Sequence, residues 1–204
     1  MRTQTKITQE NLTPKDAHNI LVEGNSRFAQ NLKAQRNLKD QVIETSTGQF
    51  PFAVILSCID SRAPAELLFD QGIGDIFSVR IAGNIVNTDI LGSMEYACKV
   101  AGSKIIVVMG HTKCGAVTAA YQNVQLGNIT ALLDKIQPAV KIIKEEKEPI
   151  EATAIEKTAV LNVQLSIDKI RLGSPILTEM ERSNEIEIVG AVYDVSNGVV
   201  TFMD

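Results

Sequence analysis

Cysteine and histidine are scarce: the 204 residues hold three of the first, Cys58, Cys98 and Cys114, and two of the second, His18 and His111. An odd, sparse cysteine set excludes a disulfide framework in a chain of this length. The three are therefore read as thiols in a reducing compartment, open to packing, metal binding or catalysis. With so few candidate ligands, each metal or acid–base constellation can be weighed one by one. No run of about 18 apolar residues occurs, which argues against a membrane span. The opening MRTQTKITQENLT is polar throughout and is no signal peptide. These absences predict a soluble, cytoplasmic protein without a membrane partner. The formal net charge is −4 and no Lys/Arg cluster stands out, so no basic footprint for nucleic acid exists. No G-x-G-x-x-G follows a strand; QGIGD precedes one instead, and a nucleotide-binding module ranks low.

What is present is ordinary globular material, 45% hydrophobic and 22% charged, enough for one α/β domain with a substantial core. Repeats and low-complexity segments are absent. The stretch 13–31 starts with a capping Thr13 and with Pro14 at the first helical position, then shows apolar residues at helical spacing. It predicts an amphipathic helix, followed over 33–49 by a polar, mobile connection. Residues 1–48 are thus expected to form an N-terminal helical arm, packing on the domain or on a partner subunit, with a single α/β domain over 49–204.

From residue 52 the pattern alternates. FAVIL (52–56), DIFSVRI (75–81) and KIIVVMG (104–110) read as strands, while APAELLFD (63–70), DILGSMEYACKVAG (89–102) and GAVTAAYQNV (115–124) read as helices. Short apolar runs separated by helices predict right-handed crossovers and a mostly parallel central sheet flanked by helices. Two helical stretches follow, 129–146 and 151–171. The end, 185–204, predicts two strands turning at Asn197-Gly198, a C-terminal β-hairpin that extends the sheet.

Two short stretches carry chemistry. SCIDSR (57–62) ends the first strand and GHTKCG (110–115) ends the KIIVVM strand before a helix. In doubly wound sheets functional groups collect at the carboxyl ends of strands. If these two strands are neighbours, Cys58, His111 and Cys114 converge. Two thiolates and one imidazole suit zinc, leaving a fourth tetrahedral position for water. Cys98 sits on a helix face suited to core packing, and His18 is expected to be solvated. The shortage of a fourth soft ligand favours a catalytic over a structural site. Asp60 is the remaining candidate, but Arg62 can hold its carboxylate in a bidentate pair and keep it off the metal. Lys113, between two ligands, reads as a solvated loop lysine.

Cys58-x-Asp60-x-Arg62 followed by His111-x-x-Cys114-Gly115 resembles the signature of the β-class carbonic anhydrases. The likeness covers roughly residues 49–125, including GDIFSVRIAGN (74–84) and GSMEYA (92–97), and returns in the C-terminal hairpin. The resemblance implies one Zn2+ per subunit on Cys58, His111 and Cys114, with Asp60 and Arg62 as a catalytic dyad. It implies reversible hydration of carbon dioxide to bicarbonate and a proton, by attack of zinc-bound hydroxide oriented by that dyad. Gly115 would offer its backbone N–H to a substrate oxygen, and Gln49 would hydrogen-bond substrate. Phe77, Ala82 and Tyr96 would line a small apolar pocket shared with a neighbouring subunit, with core packing the alternative for Phe77 and Tyr96. A homodimer or homotetramer follows from that shared pocket. Ile55 and Ser57 stand where one subgroup has Trp and Gly for a non-catalytic bicarbonate site, although Tyr193 matches a third member of it. The resemblance is therefore to the subgroup without that site, with Asp60 staying on Arg62. Rival readings are a carbonyl sulfide or carbon disulfide hydrolase of the same family, and a zinc-binding regulatory protein that has lost catalysis.

Overall fold

The computed structural model describes residues 2–203. Five strands form one sheet: β1 (Ala53–Ser57), β2 (Ile76–Arg80), β3 (Ile105–His111), β4 (Glu187–Tyr193) and β5 (Val200–Phe202). Their order is β2-β1-β3-β4-β5, with β1 to β4 parallel and β5 antiparallel at the edge. All residues of β1 and β3 are buried, as a parallel strand covered on both faces requires. The hairpin closes on Gly198, at φ +84°, whose N–H donates to the Asp194 carbonyl.

The helices are α1 (Lys6–Glu10), α2 (Pro14–Ala29), α3 (Leu38–Thr45), α4 (Ala65–Leu68), α5 (Thr88–Glu95), α6 (Gly115–Tyr121), α7 (Gly127–Leu133), α8 (Gln137–Glu145), α9 (Glu151–Gly173) and α10 (Pro175–Arg182). On one face of the sheet Ile55, Val107 and Met109 meet Ala17 and Leu21 of α2 and Leu68 of α4. On the other, Val54, Leu56 and Val108 meet Met94 of α5, Val163 and Ile170 of α9 and Leu177 of α10. Each large aliphatic side chain buried in this way stabilises the fold by about 1.5–3 kcal/mol.

The chain leaves β1 through α4 on one face to reach β2, then returns through α5 on the opposite face to β3. Winding therefore reverses between β1 and β3, and a crevice opens at their carboxyl ends. Both ligand-bearing stretches end on that crevice.

Several local expectations need correction. The connection over 33–49 contains α3, capped by the Asn37 side chain on the N–H groups of Lys39 and Asp40. The expected helix over 129–146 is two helices, α7 and α8, with Pro138 in the first turn of the second. Pro138 cannot continue the hydrogen-bond ladder of the preceding turn, so a new helix begins there. Helix α4 is a single turn, α5 ends in a wider π-helical turn over Tyr96–Val100, and α10 was not anticipated. His18 is no freely solvated side chain: its ring packs at a tilt against Phe202, centroids 4.4 Å apart, and its Nδ1 lies 3.3 Å from Glu187 Oε2.

Candidate metal centre

The register of the sheet builds the centre. Ser57 pairs with Met109, so Cys58 emerges from β1 beside Gly110 and His111 of β3. Cys114 is the residue from which α6 starts. Lys113, at φ +55°, turns the chain between His111 and Cys114. The ligand atoms of Cys58, His111 and Cys114 all lie within 4.8 Å of one another, and all three residues are buried. Around them stand Ile85, Val117, Leu133, Ile136 and Val140, an apolar shell that lowers the local dielectric.

His111 Nδ1 donates to the Thr112 carbonyl at 2.9 Å, which leaves Nε2 as the lone-pair nitrogen. That Nε2 is buried and has no hydrogen-bond partner among the described residues. A buried orphan of this kind is costly, and a cation between it and two thiols removes the cost. Cys58 accepts from Cys114, and although burial opposes it, His111 and the N–H groups of Gly83 and Asp60 add to the effect, holding the thiol down at about 4. Cys114, as the donor in that contact and buried, is pushed up. For His111 burial alone acts downward, but the neighbouring Cys58 sulfur, the Thr112 carbonyl and Asp60 outweigh it and raise the imidazole. Two cysteine sulfurs and an imidazole whose Nε2 is left free by the Thr112 carbonyl are the donor set of a Cys2His zinc centre.

Asp60 stands at the mouth of this cluster. Its Oδ1 accepts from the Arg62 backbone N–H and Nε, both at 2.9 Å, and its Oδ2 accepts from Arg62 Nη2 at 2.7 Å. Oδ2 also lies 3.9 Å from His111 Nε2. The Arg62 guanidinium, against the opposing effect of burial, holds this carboxyl well below the usual carboxylate range. Arg62 Nη2 reaches the Lys113 carbonyl at 3.3 Å, and Arg80 donates to the carbonyls of Cys58 and Asp60. Arg62 thereby ties the two ligand loops together, and Arg80 braces the first of them against β2.

Of the other residues singled out from the sequence, two join the cluster. Ala82 opens the 3-10 turn Ala82–Asn84, whose Gly83 N–H points at Cys58 Sγ at 3.3 Å. Gly115 is exposed at the start of α6, and a Cβ built on it would meet nothing within 4 Å, so open space lies beside it. Three do not join. Gln49 is exposed before the amino end of β1, a whole strand away from Cys58. Phe77 and Tyr96 meet edge to face at 6.3 Å and line a cleft of ≈690 Å3 outside the edge strand β2. Cys98 is buried apart from the cluster, its thiol pushed up to about 12 by burial, an inert packing residue. Sequence reasoning did not single out Asn162 of α9, whose amide donates to the Gly83 carbonyl at 2.9 Å; nothing in its local sequence marks it.

A doubly wound α/β sheet carrying a buried Cys2His group at its switch point defines a class of metalloprotein. Residues 53–200 match the carbonic anhydrase family model. The chain is 32% identical over 200 residues to carbonic anhydrase 2 of Mycobacterium tuberculosis, an alignment covering 95% of each chain. Its fold superposes on the β-carbonic anhydrase CafA of Aspergillus fumigatus with a TM-score of 0.76 at 25% identity, covering 89% of this chain and 86% of that one. A tetrameric β-carbonic anhydrase of Sordaria macrospora gives 0.72 at 26% identity, covering 81% and 90%. The chain belongs to the β-carbonic anhydrase family, a family of zinc enzymes, and is itself an enzyme of the carbonate dehydratase type.

Proposed function

We propose that this protein hydrates carbon dioxide reversibly to bicarbonate and a proton, with Cys58, His111 and Cys114 holding one zinc ion and Asp60 and Arg62 serving the reaction. The observation that carries the reading is the Asp60 carboxylate, bidentate on Arg62 yet with Oδ2 3.9 Å from the orphaned His111 Nε2. Zinc, when bound, brings the pKa of a water molecule down to about 7 and so supplies a nucleophile near neutral pH. Asp60 accepts the hydrogen bond of the attacking oxygen and turns its lone pair toward the carbon of the substrate. Arg62 keeps Asp60 ionised and prevents it from swinging onto the cation. The Gly115 N–H, beside open space, donates to the substrate oxygen on which charge grows. Ala82 borders the reacting centre, and the apolar shell keeps bulk water from it.

Gln49, Phe77 and Tyr96 lie too far from the cluster to serve it within one chain. We assign them to the site of a second copy packed along β2, whose outer edge is unpaired among the described residues and beside which Tyr96, at the end of α5, is 54% exposed. A homodimer or homotetramer with composite pockets is the assembly that uses them. Residues 1–48 act as an arm on the catalytic unit 49–204. Three cysteines without a disulfide suit a cytoplasmic setting, and among the described residues no helix is long and apolar enough to cross a membrane. Stopped-flow hydration of carbon dioxide by zinc-quantified protein tests the proposal, with Cys114→Ser as control. Activity that tracks zinc content and vanishes in the variant supports it. Full zinc occupancy with no hydration overturns it.

A further inference from the structure

One buried amide outside both ligand motifs reaches the metal centre through a single backbone unit. Gly83 uses both of its polar groups: its N–H donates to Cys58 Sγ at 3.3 Å, and its carbonyl accepts from Asn162 Nδ2 at 2.9 Å. Gly83 is left-handed, at φ +68°, and a Cβ there would come within 2.6 Å of Ile136 Cδ1. Asn84 follows in the same region, at φ +41°. Two consecutive left-handed residues are held by their surroundings rather than by local preference. Helix α9 supplies that hold at Gly83 through Asn162 alone; Ser166, one turn on, makes only a long contact with the next residue, its Oγ 3.4 Å from the Asn84 carbonyl.

The base of this brace is rigid. Val163, next to Asn162, sits so close to the sheet that a Cβ on Gly110 would lie 2.7 Å from its Cγ2, and one on Gly190 3.0 Å from its Cγ1. Asn162 itself is 2% exposed, so no water competes for its amide.

We propose that Asn162 is a positioning residue of the metal centre, holding Gly83 so that the Gly83 N–H is aimed at the Cys58 sulfur. The inference rests on Cys58 being a ligand. A hydrogen bond to a ligating thiolate draws electron density from the sulfur and fixes its direction, and such outer partners shift metal affinity measurably. Without the Asn162 amide the Gly83 carbonyl is buried and unsatisfied, the turn relaxes, and the sulfur loses its donor.

Cobalt-exchanged protein provides the test, read by the near-ultraviolet thiolate-to-cobalt band, together with zinc affinity by chelator competition. In Asn162→Leu the band should move to lower energy, because the sulfur becomes more electron-rich, and zinc affinity should fall about tenfold. Ser166→Ala, which removes a hydroxyl near the Asn84 carbonyl only, should leave both readouts at wild-type values. A wild-type band and affinity in Asn162→Leu would overturn the proposal, as would an equal shift in Ser166→Ala. Should Asn162→Leu fail to fold, the same two measurements on Asn162→Ala decide the matter. Failure of the ligand assignment reads differently: Cys58→Ser would then retain the wild-type band.

Discussion

Asp60 and Asp70 are both carboxylates held by arginine, and they serve opposite ends. Among the described residues, every hydrogen bond to the Asp60 carboxylate comes from Arg62, two residues away, whose side chain is 47% exposed. Its Oδ2 keeps acceptor capacity on the side of the metal cluster. Asp70, at the end of α4, is enclosed. Arg27 Nε and Arg36 Nη1 donate to its two oxygens at 2.6 Å each, the Ala34 N–H adds a third bond at 3.0 Å, and Arg36 also reaches its carbonyl. One ion pair is open and faces the Cys58–His111–Cys114 cluster; the other is closed and ties residues 27–36 to the end of α4. Access to an unfilled acceptor position, rather than the ion pair itself, is what would separate the proposed role of Asp60 from the structural role of Asp70.

The comparison can be broken most sharply at Asp60. Asp60→Asn should lower kcat/KM for carbon dioxide by about 10²–10⁴, the range for loss of a positioned proton acceptor. Zinc content by atomic absorption and the urea midpoint should stay close to wild type. Full hydration activity in a zinc-loaded Asp60→Asn protein would remove the dyad from the mechanism.

Asp70→Asn should do the reverse. Removing one partner of a buried pair costs about 3–5 kcal/mol, seen as a lower urea midpoint, while the folded fraction hydrates carbon dioxide at close to the wild-type rate. A variant as stable as wild type would show that the arm is not anchored there.

Acid sharpens the same contrast. Burial pushes the Asp70 carboxyl up, but hydrogen bonds from Arg27, the Ala34 N–H and Arg36 outweigh it and leave the group below its ordinary value. A lowered pKa means that the unfolded chain takes up the proton first. The contribution of Asp70 is therefore complete above the unfolded value of about 3.9 and disappears as pH falls through the folded one. The stability gap between wild type and Asp70→Asn should hold from neutral pH to about 5 and then narrow below about 4. A gap that widens in acid would contradict the assigned sign.

The smallest effect belongs to Arg27→Gln. Arg27 is 28% exposed, and Arg36 and the Ala34 N–H keep the carboxylate occupied, so a loss of about 1 kcal/mol or less is expected in the same urea titration. A loss as large as that of Asp70→Asn would make Arg27 the principal anchor.

Much of the fold was legible because β1 and β3 are short apolar runs and because Thr13-Pro14 opens α2 with chemistry visible in the sequence. The elements that escaped, α3 and α10, are eight-residue helices, so periodicity had little length in which to speak, even though Leu177 and Met180 of α10 reach the core. The ligand motifs were legible for a related reason: Cys58 to Arg62 and His111 to Gly115 are each contiguous, and a strand-to-loop junction presents them together. Phe77 and Tyr96 show the limit. Their family positions could be matched, yet the structure sets them in an outer cleft rather than beside the cluster.

Sequence alone determined the chemistry available to this protein, two thiols, one imidazole and a local Asp–Arg pair, because each group's identity and nearest partner lie within a few residues. Tertiary structure decided which of these meet. The parallel pairing of β1 with β3 brings Cys58 to His111, and a tightly seated α9 carries Asn162 to the Gly83 carbonyl. The fold of the arm carries Arg27 and Arg36 to Asp70. Contacts of that kind join residues far apart along the chain, and they exist only once burial of the two sheet faces has fixed the helices in place.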